Sequence, residues 1–332
     1  MKNKIQNINE HLLKNKKYEE KDTILIAGSP RSGTTWLMDI LRTIPGYTNL
    51  FEPLNPIWCP ESFDVGFRSR TYLSQDKQWP EGKEFLQKTF TGKIAFVPIK
   101  DKDNPMADFI EMFSIKSAIK HVTANKLIVK SVNMNRLLPW ISKNFQLKSI
   151  FYIIRHPCAS ISSQLKTGLF GYRPSSPPYI DIPPKKEDVL NEIKEIKMFD
   201  SNLINKIQKL DATEEILAAS WALDNFIPLN YSKPYPWKTI FYENLVNSGE
   251  GELNKIFNHL GQKTPSSALG LLKKPSIVTL KEDKKLVNQP DKQLSKWKSY
   301  LSDKQIERIL KVVSYFDIDI YSEDIVPISK SL

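Results

Sequence analysis

Gly28-Ser-Pro-Arg-Ser-Gly-Thr-Thr-Trp36 is the stretch of sequence that decides the fold. The apolar, β-branched run that leads into it (residues 23–28, TILIAG) predicts a buried strand. The apolar residues that follow have helical spacing until Pro45-Gly46, where a helix should end. A strand that passes through a glycine-rich loop into a helix opens a βαβ unit. The stretch therefore predicts an α/β fold with an anion-binding loop after the first strand.

Similar segments recur along the chain. Further strands are predicted at 126–131 (KLIVKS), 147–155 (LKSIFYIIR) and 238–245 (KTIFYENL). Helical periodicity dominates 186–209, 212–229, 251–261 and 303–315. Strands that alternate with helices predict one α/β domain, with a central parallel sheet flanked by helices, of the P-loop nucleotide-binding type.

The domain organisation follows from the segments that break this alternation. Residues 1–21 are polar and lysine-rich and are interpreted as a lead-in to a single domain over 22–332. Insertions around 53–124 and 168–185 have weak periodicity and are rich in proline and aromatic residues. Because ligands of α/β sheets bind beyond the carboxyl ends of the strands, these insertions are expected to shape the acceptor side of the site.

Composition narrows the function classes. The net charge of +11 suits a polyanionic partner, but no zinc-finger spacing, RNA-recognition signature or arginine-rich tail points to nucleic acid. Two cysteines and four scattered histidines predict no metal site. The sequence shows no secretory signal and no apolar run of membrane-spanning length, so a cytoplasmic protein without a transmembrane segment is expected.

The glycine-rich loop begins like a Walker A loop but departs from it at the decisive position. Thr34 stands where GxxxxGK[ST] has its phosphate-binding lysine, and a cation appears instead at Arg31. The backbone N–H groups of Ser32, Gly33, Thr34 and Thr35 would still form an anion site at a helix N-terminus. Such a loop suits a 5′-phosphate that bears one further anionic group better than magnesium-bridged β- and γ-phosphates.

Two motifs together resemble the sulfotransferase family. Its 5′-phosphosulfate loop, [K/R]-S-G-T-T-W, is matched by Arg31 to Trp36. Its second motif, a strand-end arginine followed eight residues later by a helical serine, is matched by Arg155 and Ser163. The resemblance implies that the co-substrate is 3′-phosphoadenosine 5′-phosphosulfate (PAPS), with no metal required. It also implies that Arg155 and Ser163 hold the 3′-phosphate and that Trp36 stacks on the adenine.

The resemblance also suggests the catalytic residues. Cytosolic small-molecule sulfotransferases carry a catalytic histidine in a KTH-like segment, but here that segment is Lys130-Ser131-Val132, which keeps the lysine and lacks the histidine. The segment 50–54 (LFEPL) is similar to the FEP segment of carbohydrate sulfotransferases. Carbohydrate- and tyrosylprotein-type enzymes are therefore the closer subgroup. Glu52 is assigned as general base, and Lys130 as the cation that stabilises charge during transfer.

Weaker resemblances lie further along the chain. Residues 241–245 (FYENL) look like the YEDL strand end of the family, and 293–297 (QLSKW) like a segment of tyrosylprotein sulfotransferases. The RKG nucleotide loop of the cytosolic group is not evident, and Lys284, Lys285 and Lys292 are equally placed to replace its charge.

The predicted function is sulfuryl transfer from PAPS to an acceptor hydroxyl. A glycan or glycolipid is the first choice of acceptor, and a hydroxylated metabolite or a protein tyrosine stays open. The alternatives are a P-loop nucleotide kinase or NTPase, and a non-catalytic module that binds nucleotides or nucleic acid.

Overall fold

A five-stranded, all-parallel sheet with strand order β2-β3-β1-β4-β5 forms the centre of the protein. It is seen in a computed structural model that describes residues 18–94, 123–171, 181–276 and 279–328. The strands are β1 (Ile24–Gly28), β2 (Tyr47–Phe51), β3 (Lys126–Ser131), β4 (Ser149–Ile154) and β5 (Lys238–Phe241). The predicted parallel sheet is confirmed.

Burial explains why the central strands read as apolar runs. Every residue of β1 and β4 is buried, because both strands have neighbours on either side and helices cover both faces. Ile26 lies beside Lys130 of β3 and Phe151 of β4 in the register. The edge strand β5 is only partly buried, and its first residue, Lys238, is exposed.

Helices follow the strands on both faces of the sheet. They are α1 (Thr34–Leu41), α2 (Pro60–Asp64), α3 (Pro80–Phe90), α4 (Leu138–Asn144), α5 (Pro157–Thr167), α6 (Lys186–Ile196), α7 (Ser201–Gln208), α8 (Thr213–Leu229), α9 (Tyr242–Asn247), α10 (Gly249–His259), α11 (Ser266–Leu272), α12 (Pro290–Ser295) and α13 (Asp303–Ser314). Short 3₁₀ turns occupy Glu20–Asp22, Asn135–Leu137, Lys281–Leu286 and Lys296–Ser299.

Three elements differ from the sequence-based expectations. The predicted strand 238–245 ends at Phe241, and Tyr242 begins a helix. Strand β2 was not predicted, because its five residues (YTNLF) mix polar and apolar side chains and follow a Pro-Gly turn. The helical stretch 186–209 divides into α6 and α7, since Lys197 adopts a left-handed conformation and Asp200 caps the next helix through the Leu203 N–H (2.8 Å).

The chain connectivity indicates that a ligand would bind at the carboxyl ends of the strands, near β1. After β1 the chain forms β2 and β3 on one side of it and then crosses to β4 and β5 on the other. In such sheets the crevice outside the carboxyl ends of the strands, where the direction of winding reverses, is where ligands bind. None of the helices in the described ranges is long and apolar enough to cross a bilayer.

Candidate active site

The loop between β1 and α1 has no room for a side chain at Gly28 or at Gly33. A Cβ on Gly28 would lie 2.6 Å from the carbonyl oxygen of Ile153 and from Oγ of Ser32. Gly33 has a φ of 100°, and a Cβ there would lie 2.6 Å from the ring of Tyr242. The close approach of loop, β4 and α9 therefore depends on the absence of side chains at these two positions.

The loop presents backbone donors at the start of α1. Arg31 has a left-handed φ of 67°, and the Ser32 N–H donates to the Ser29 carbonyl (3.1 Å), which closes the turn. Gly33 caps α1 without a side chain, so the N–H groups of the first helical turn have no side-chain cap. Thr34 and Thr35 are buried and line the cavity described below. These donors can bind an anion, as predicted from the loop sequence.

Arg31, Ser163 and Arg155 form one cluster, which joins the two sequence motifs. Arg31 Nε donates to Ser163 Oγ (3.0 Å), and Arg155 Nη1 donates to the Arg31 carbonyl (3.0 Å). The Arg155 guanidinium lies 4.4 Å from the centre of the Tyr242 ring, a cation–π contact. Arg155 is 7% exposed, and its Nε has no hydrogen-bond partner among the described residues. Ser163 thus contacts Arg31, and the cluster leaves donor capacity of Arg155 unused.

Electrostatics at this cluster favour an anion. Burial and the neighbouring Arg155 charge lower the pKa of Arg31 to about 10. Burial and the same Arg155 charge also lower the pKa of Lys296, whose Nζ donates to Asp283 Oδ2 (2.7 Å). Three cations thus face one carboxylate at this end of the cavity. A dianionic group here would relieve the repulsion between them.

Glu52 and Lys130 form a buried ion pair at the carboxyl ends of β2 and β3. Lys130 Nζ donates to Glu52 Oε1, and the Val132 N–H donates to Oε2 (3.0 Å). The two residues are 5% and 3% exposed. The ammonium of Lys130 also lies 4.4 Å from the centre of the Phe51 ring. A carboxylate and an ammonium, both assigned chemical roles from the sequence, are therefore in direct contact.

The backbone holds Glu52 in an uncommon conformation. Its φ of 50° lies in the left-handed region, which a residue with a side chain rarely adopts. The Glu52 N–H donates to the Lys130 carbonyl (2.7 Å), and its own carbonyl accepts from the Asn55 N–H (2.9 Å). Such strain concentrates at functional sites, because it fixes the direction of one side chain. Here it turns the carboxylate towards Lys130 and the cavity.

One cavity collects these groups. Ser32 is fully buried within the loop and does not line the cavity. All the other sequence-predicted site residues do: Arg31, Gly33, Thr34, Thr35, Trp36, Glu52, Lys130, Arg155 and Ser163. The cavity volume is about 160 Å³. Pockets for drug-sized ligands are typically about 300–1,000 Å³, so this cavity is smaller than such pockets.

The wall that covers the cavity comes from the C-terminal part of the chain. It includes Lys274–Ser276, Thr279, Leu280, Asp283 and Val287. Trp36 packs beneath it, with the indole N–H donating to the Leu271 carbonyl at the end of α11 (3.1 Å). The Trp36 ring is 8% exposed and tilted by 58° against Tyr242, at 5.7 Å between centroids. Trp36 therefore has a packing role and also faces the cavity.

Sequence reasoning did not select Tyr242, Lys274, Asp283 or Lys296, which the fold brings to the lining of the cavity. Tyr242 and Lys296 lie in the two segments with weaker family resemblance, which offered the only sequence signal for them. Asp283 and Lys274 had none. Of the three lysines considered as charge replacements (Lys284, Lys285 and Lys292), all are exposed and none lines the cavity.

A buried network fixes the strand end that carries Arg155. The His156 N–H and the Tyr321 hydroxyl donate to the two carboxylate oxygens of Glu243 (2.9 and 3.0 Å). The His156 ring accepts from the Cys158 N–H at Nδ1 and donates from Nε2 to the Ser322 carbonyl (2.9 Å). Burial lowers the pKa of His156 to about 4 and raises that of Glu243. The imidazole is therefore neutral at physiological pH.

The opposite end of the cavity is formed by both insertions. Asn55 of the first insertion contributes beside Phe51 at the end of β2, and Leu169, Gly171 and Asp181 contribute from the second insertion. The Asp181 carboxylate accepts from the N–H groups of Phe170 (3.1 Å) and Gly171 (3.2 Å) and so closes the base of the loop. Residues 172–180 of that loop and 95–122 of the first insertion lie outside the described residues.

Two tryptophans of the first insertion do not reach the cavity. Trp58 is 5% exposed and packs edge-on against Phe51. Trp79 packs against Phe67, with ring centroids 4.5 Å apart. Neither ring lines the cavity, and Tyr172 and Tyr179 lie outside the described residues. Nor do the described residues contain a cluster of His, Cys, Asp or Glu suited to a metal ion.

Comparison with protein families gives one match: a model described as "Sulfotransferase family" matches residues 23–266. The match spans β1 to the start of α11 and includes Glu52, Lys130, Arg155 and Ser163. It ends before Asp283 and Lys296. No curated protein sequence matches the chain significantly.

Solved sulfotransferase structures resemble the chain at a distance. The sulfotransferase domain from the Synechococcus PCC 7002 olefin synthase is 16% identical (TM-score 0.44; 92% of this chain and 100% of that one covered). Mouse sulfotransferase SULT7A1, complexed with PAP, is 15% identical (TM-score 0.44; 92% and 87% covered). The sulfotransferase domain from the curacin biosynthetic pathway is 16% identical (TM-score 0.40; 88% and 97% covered). No residue of the site is carried over from them.

Proposed function

The chain belongs to the sulfotransferase family, and from that premise we propose that it transfers a sulfuryl group from PAPS to an acceptor hydroxyl with Glu52 as general base. The observation that carries the proposal is the shared cavity. It places a buried Glu52–Lys130 pair and the Arg31–Ser163–Arg155 cluster around one anion-binding loop. Sulfuryl transfer, like phosphoryl transfer, needs positioning, charge stabilisation and a base for the attacking hydroxyl.

The charge of the arginine cluster supports a donor with a 3′-phosphate. Arg31, Arg155 and Lys296, offset by Asp283, leave about two net positive charges at this end of the cavity. A phosphate monoester carries about −1.5 to −2 at neutral pH and three acceptor oxygens. Arg155 would contribute the donors that it does not use within the protein.

The loop itself would hold the 5′-phosphosulfate. Backbone N–H groups at the start of α1, with the hydroxyls of Thr34 and Thr35, supply neutral donors for its oxygens. A P-loop kinase would need the Walker lysine at position 34 to bridge its phosphates. The threonine there, together with the family match, favours PAPS over a nucleoside triphosphate.

The reaction requires a partner exchange at Lys130. In the structure its ammonium donates a hydrogen bond to Glu52 Oε1, the oxygen that would have to accept the proton. The negative charge of a bound donor would draw Lys130 towards the sulfuryl group, which frees Glu52 Oε1. The acceptor oxygen then attacks sulfur, its proton passes to Glu52, and the bond from sulfur to the bridging oxygen breaks. The electron pair leaves with 3′-phosphoadenosine 5′-phosphate (PAP), stabilised by Lys130.

A sugar hydroxyl is the acceptor that we propose, on the similarity of residues 50–54 to the carbohydrate enzymes. The test is a screen of glycan, glycolipid, small-phenol and tyrosyl-peptide acceptors with ³⁵S-labelled PAPS. Sulfation of a phenol or peptide in preference to every sugar would overturn the acceptor class while leaving the reaction type intact.

Glu52→Gln tests the base with the acceptor that this screen identifies. We expect kcat to fall about 10²- to 10⁴-fold, the usual contribution of a general base. PAP binding should not weaken, because the amide keeps the shape of the side chain and leaves the buried Lys130 ammonium without its carboxylate partner, available to the nucleotide. Glu195→Gln, which removes an exposed carboxylate outside the cavity, is the matched control. Unchanged kcat in Glu52→Gln would refute the assignment.

A further inference from the structure

A second cleft lies along the edge strand β5, at the end of the sheet opposite the active-site cavity. It reaches the first residues of β4 and β5, and its volume is about 1,050 Å³. Other walls come from the turn between α4 and β4, from the segment 233–237 and from His259 at the end of α10. The active-site cavity lies instead at the carboxyl ends of the strands, so the two share no lining residue.

The charges that line this cleft are all of one sign. Lys148, Lys233 and Lys238 contribute to it, and no Asp or Glu occurs among the described residues that line it. Burial and the nearby charges of Lys238 and Lys148 lower the pKa of His259. A concave surface lined by one sign of charge focuses the field and concentrates counter-ions. The cleft therefore favours an anion.

Aromatic rings form the other part of the wall. The rings of Tyr235 and Trp237 are nearly parallel (9°), with centroids 5.6 Å apart, and the Tyr235 hydroxyl is fixed on the Leu229 carbonyl (2.8 Å). Trp237 is 5% exposed, and its indole N–H has no partner among the described residues. The same holds for Oγ1 of Thr239, which also lines the cleft. Buried polar groups are rarely unsatisfied, so the wall of the cleft keeps unused hydrogen-bonding capacity at these two side chains.

We propose that this cleft binds an anionic oligosaccharide, that is, sugar rings bearing sulfate or carboxylate groups. The partly exposed ring of Tyr235 matches the apolar face of a sugar ring, and the lysines match the anionic substituents. The site goes beyond the transfer reaction and does not depend on it, because binding needs no donor.

Binding is tested on the full chain with a fluorescently labelled heparin hexasaccharide, by anisotropy, in the presence of saturating PAP. The nucleotide keeps the probe out of the active-site cavity. We expect Lys148→Gln/Lys238→Gln to weaken binding about tenfold, at about threefold for each exposed ion pair. Tyr235→Ala should also weaken it. The matched control is Lys304→Gln/Lys311→Gln, which removes the same charge from exposed positions on α13.

The outcomes separate the proposal from its rivals. Absent binding, or equal loss in the cleft and control variants, would show that the cleft is not a site. Equal affinity for an uncharged hexasaccharide, chitohexaose, would refute the role of the charges. Tighter binding of an octathymidylate strand, lost in the same variants, would assign the cleft to nucleic acid and overturn the ligand class. If sulfuryl transfer fails while the probe binds as expected, only the proposed function is refuted.

Discussion

Removal of the Arg155 guanidinium should weaken the binding of PAP by about 2–3 kcal/mol, which is about 30- to 140-fold in Kd. The estimate follows from burial: Arg155 is 7% exposed, and a hydrogen bond to a charged group in such a place contributes about 1.5–3 kcal/mol. The loss should not reach the largest values for buried charge pairs, because Arg31 and Lys296 remain beside the 3′-phosphate.

The assay compares two nucleotides by isothermal titration calorimetry. PAP carries the 3′-phosphate and adenosine 5′-phosphate (AMP) lacks it, so the ratio of their Kd values measures what the protein gains from that phosphate. In Arg155→Ala the preference for PAP over AMP should shrink by the same amount, about 2–3 kcal/mol, with AMP binding nearly unchanged. Arg155→Lys should be intermediate, because it keeps the charge and loses the fork of donors. Lys194→Ala, an exposed position outside the cavity, controls for net charge.

The result that would refute the reasoning is equal weakening of PAP and AMP. Arg155 also lies on the Tyr242 ring and holds the Arg31 carbonyl, so its loss could loosen the whole loop. Equal weakening would assign it that supporting role. Unchanged affinity for both nucleotides would place the 3′-phosphate elsewhere.

Three other perturbations test the surroundings of the site. Gly33→Ala should destabilise the fold by about 1–3 kcal/mol and abolish PAP binding, because its φ is 100° and its Cβ would meet Tyr242; urea unfolding checks this against Gly251→Ala, where a Cβ meets nothing within 4 Å. The pKa of His156 is about 4 in the folded protein and about 6.5 in the unfolded chain, so the free energy of unfolding should fall as the pH drops from 6.5 to 4. In His156→Gln that fall should be about 3 kcal/mol smaller. An unchanged pH dependence of the free energy of unfolding in the variant would contradict the assignment of a buried, neutral His156. PAP should slow hydrogen exchange in residues 279–287 but not in α13, because only residues 279–287 contribute to the wall of the cavity. Equal exchange with and without PAP would show that this segment does not cover the bound nucleotide.

Local sequence patterns were sufficient for the central strands and for the loop. Strands β1, β3 and β4 are short, largely apolar runs bounded by polar or turn-forming residues, because a parallel sheet buries both faces of such strands. Strand β2 had no such pattern, since it lies at the edge and keeps polar residues such as Asn49. The end of β5 was misplaced because an aromatic residue such as Tyr242 suits a strand by its local preference, although here it begins a helix and its ring lies against Gly33.

The candidate site was predictable only where its chemistry lies in contiguous motifs. The loop and the Arg155–Ser163 spacing could be recognised by eye, but the contact between Arg31 and Ser163 depends on the packing of α5 against the loop. Asp283 and Lys296 come from a wall more than 100 residues beyond Arg155. Their part in the charge balance is a product of tertiary structure, and no spacing rule could have selected Lys296 over the exposed lysines nearby.

The Glu52–Lys130 pair shows why a base and an anion-binding cation can share a buried cavity. Without a partner, either charge would be costly to bury, but as a pair they are hydrogen-bonded and neutral overall. A negatively charged donor changes that balance, because it offers Lys130 a second partner while Glu52 keeps the Val132 N–H. The base would thus be released only when the donor is in place. The ion pair that neutralises the two buried charges would therefore also link donor binding to proton transfer. The left-handed backbone at Glu52 would keep its carboxylate in place while Lys130 changes partners.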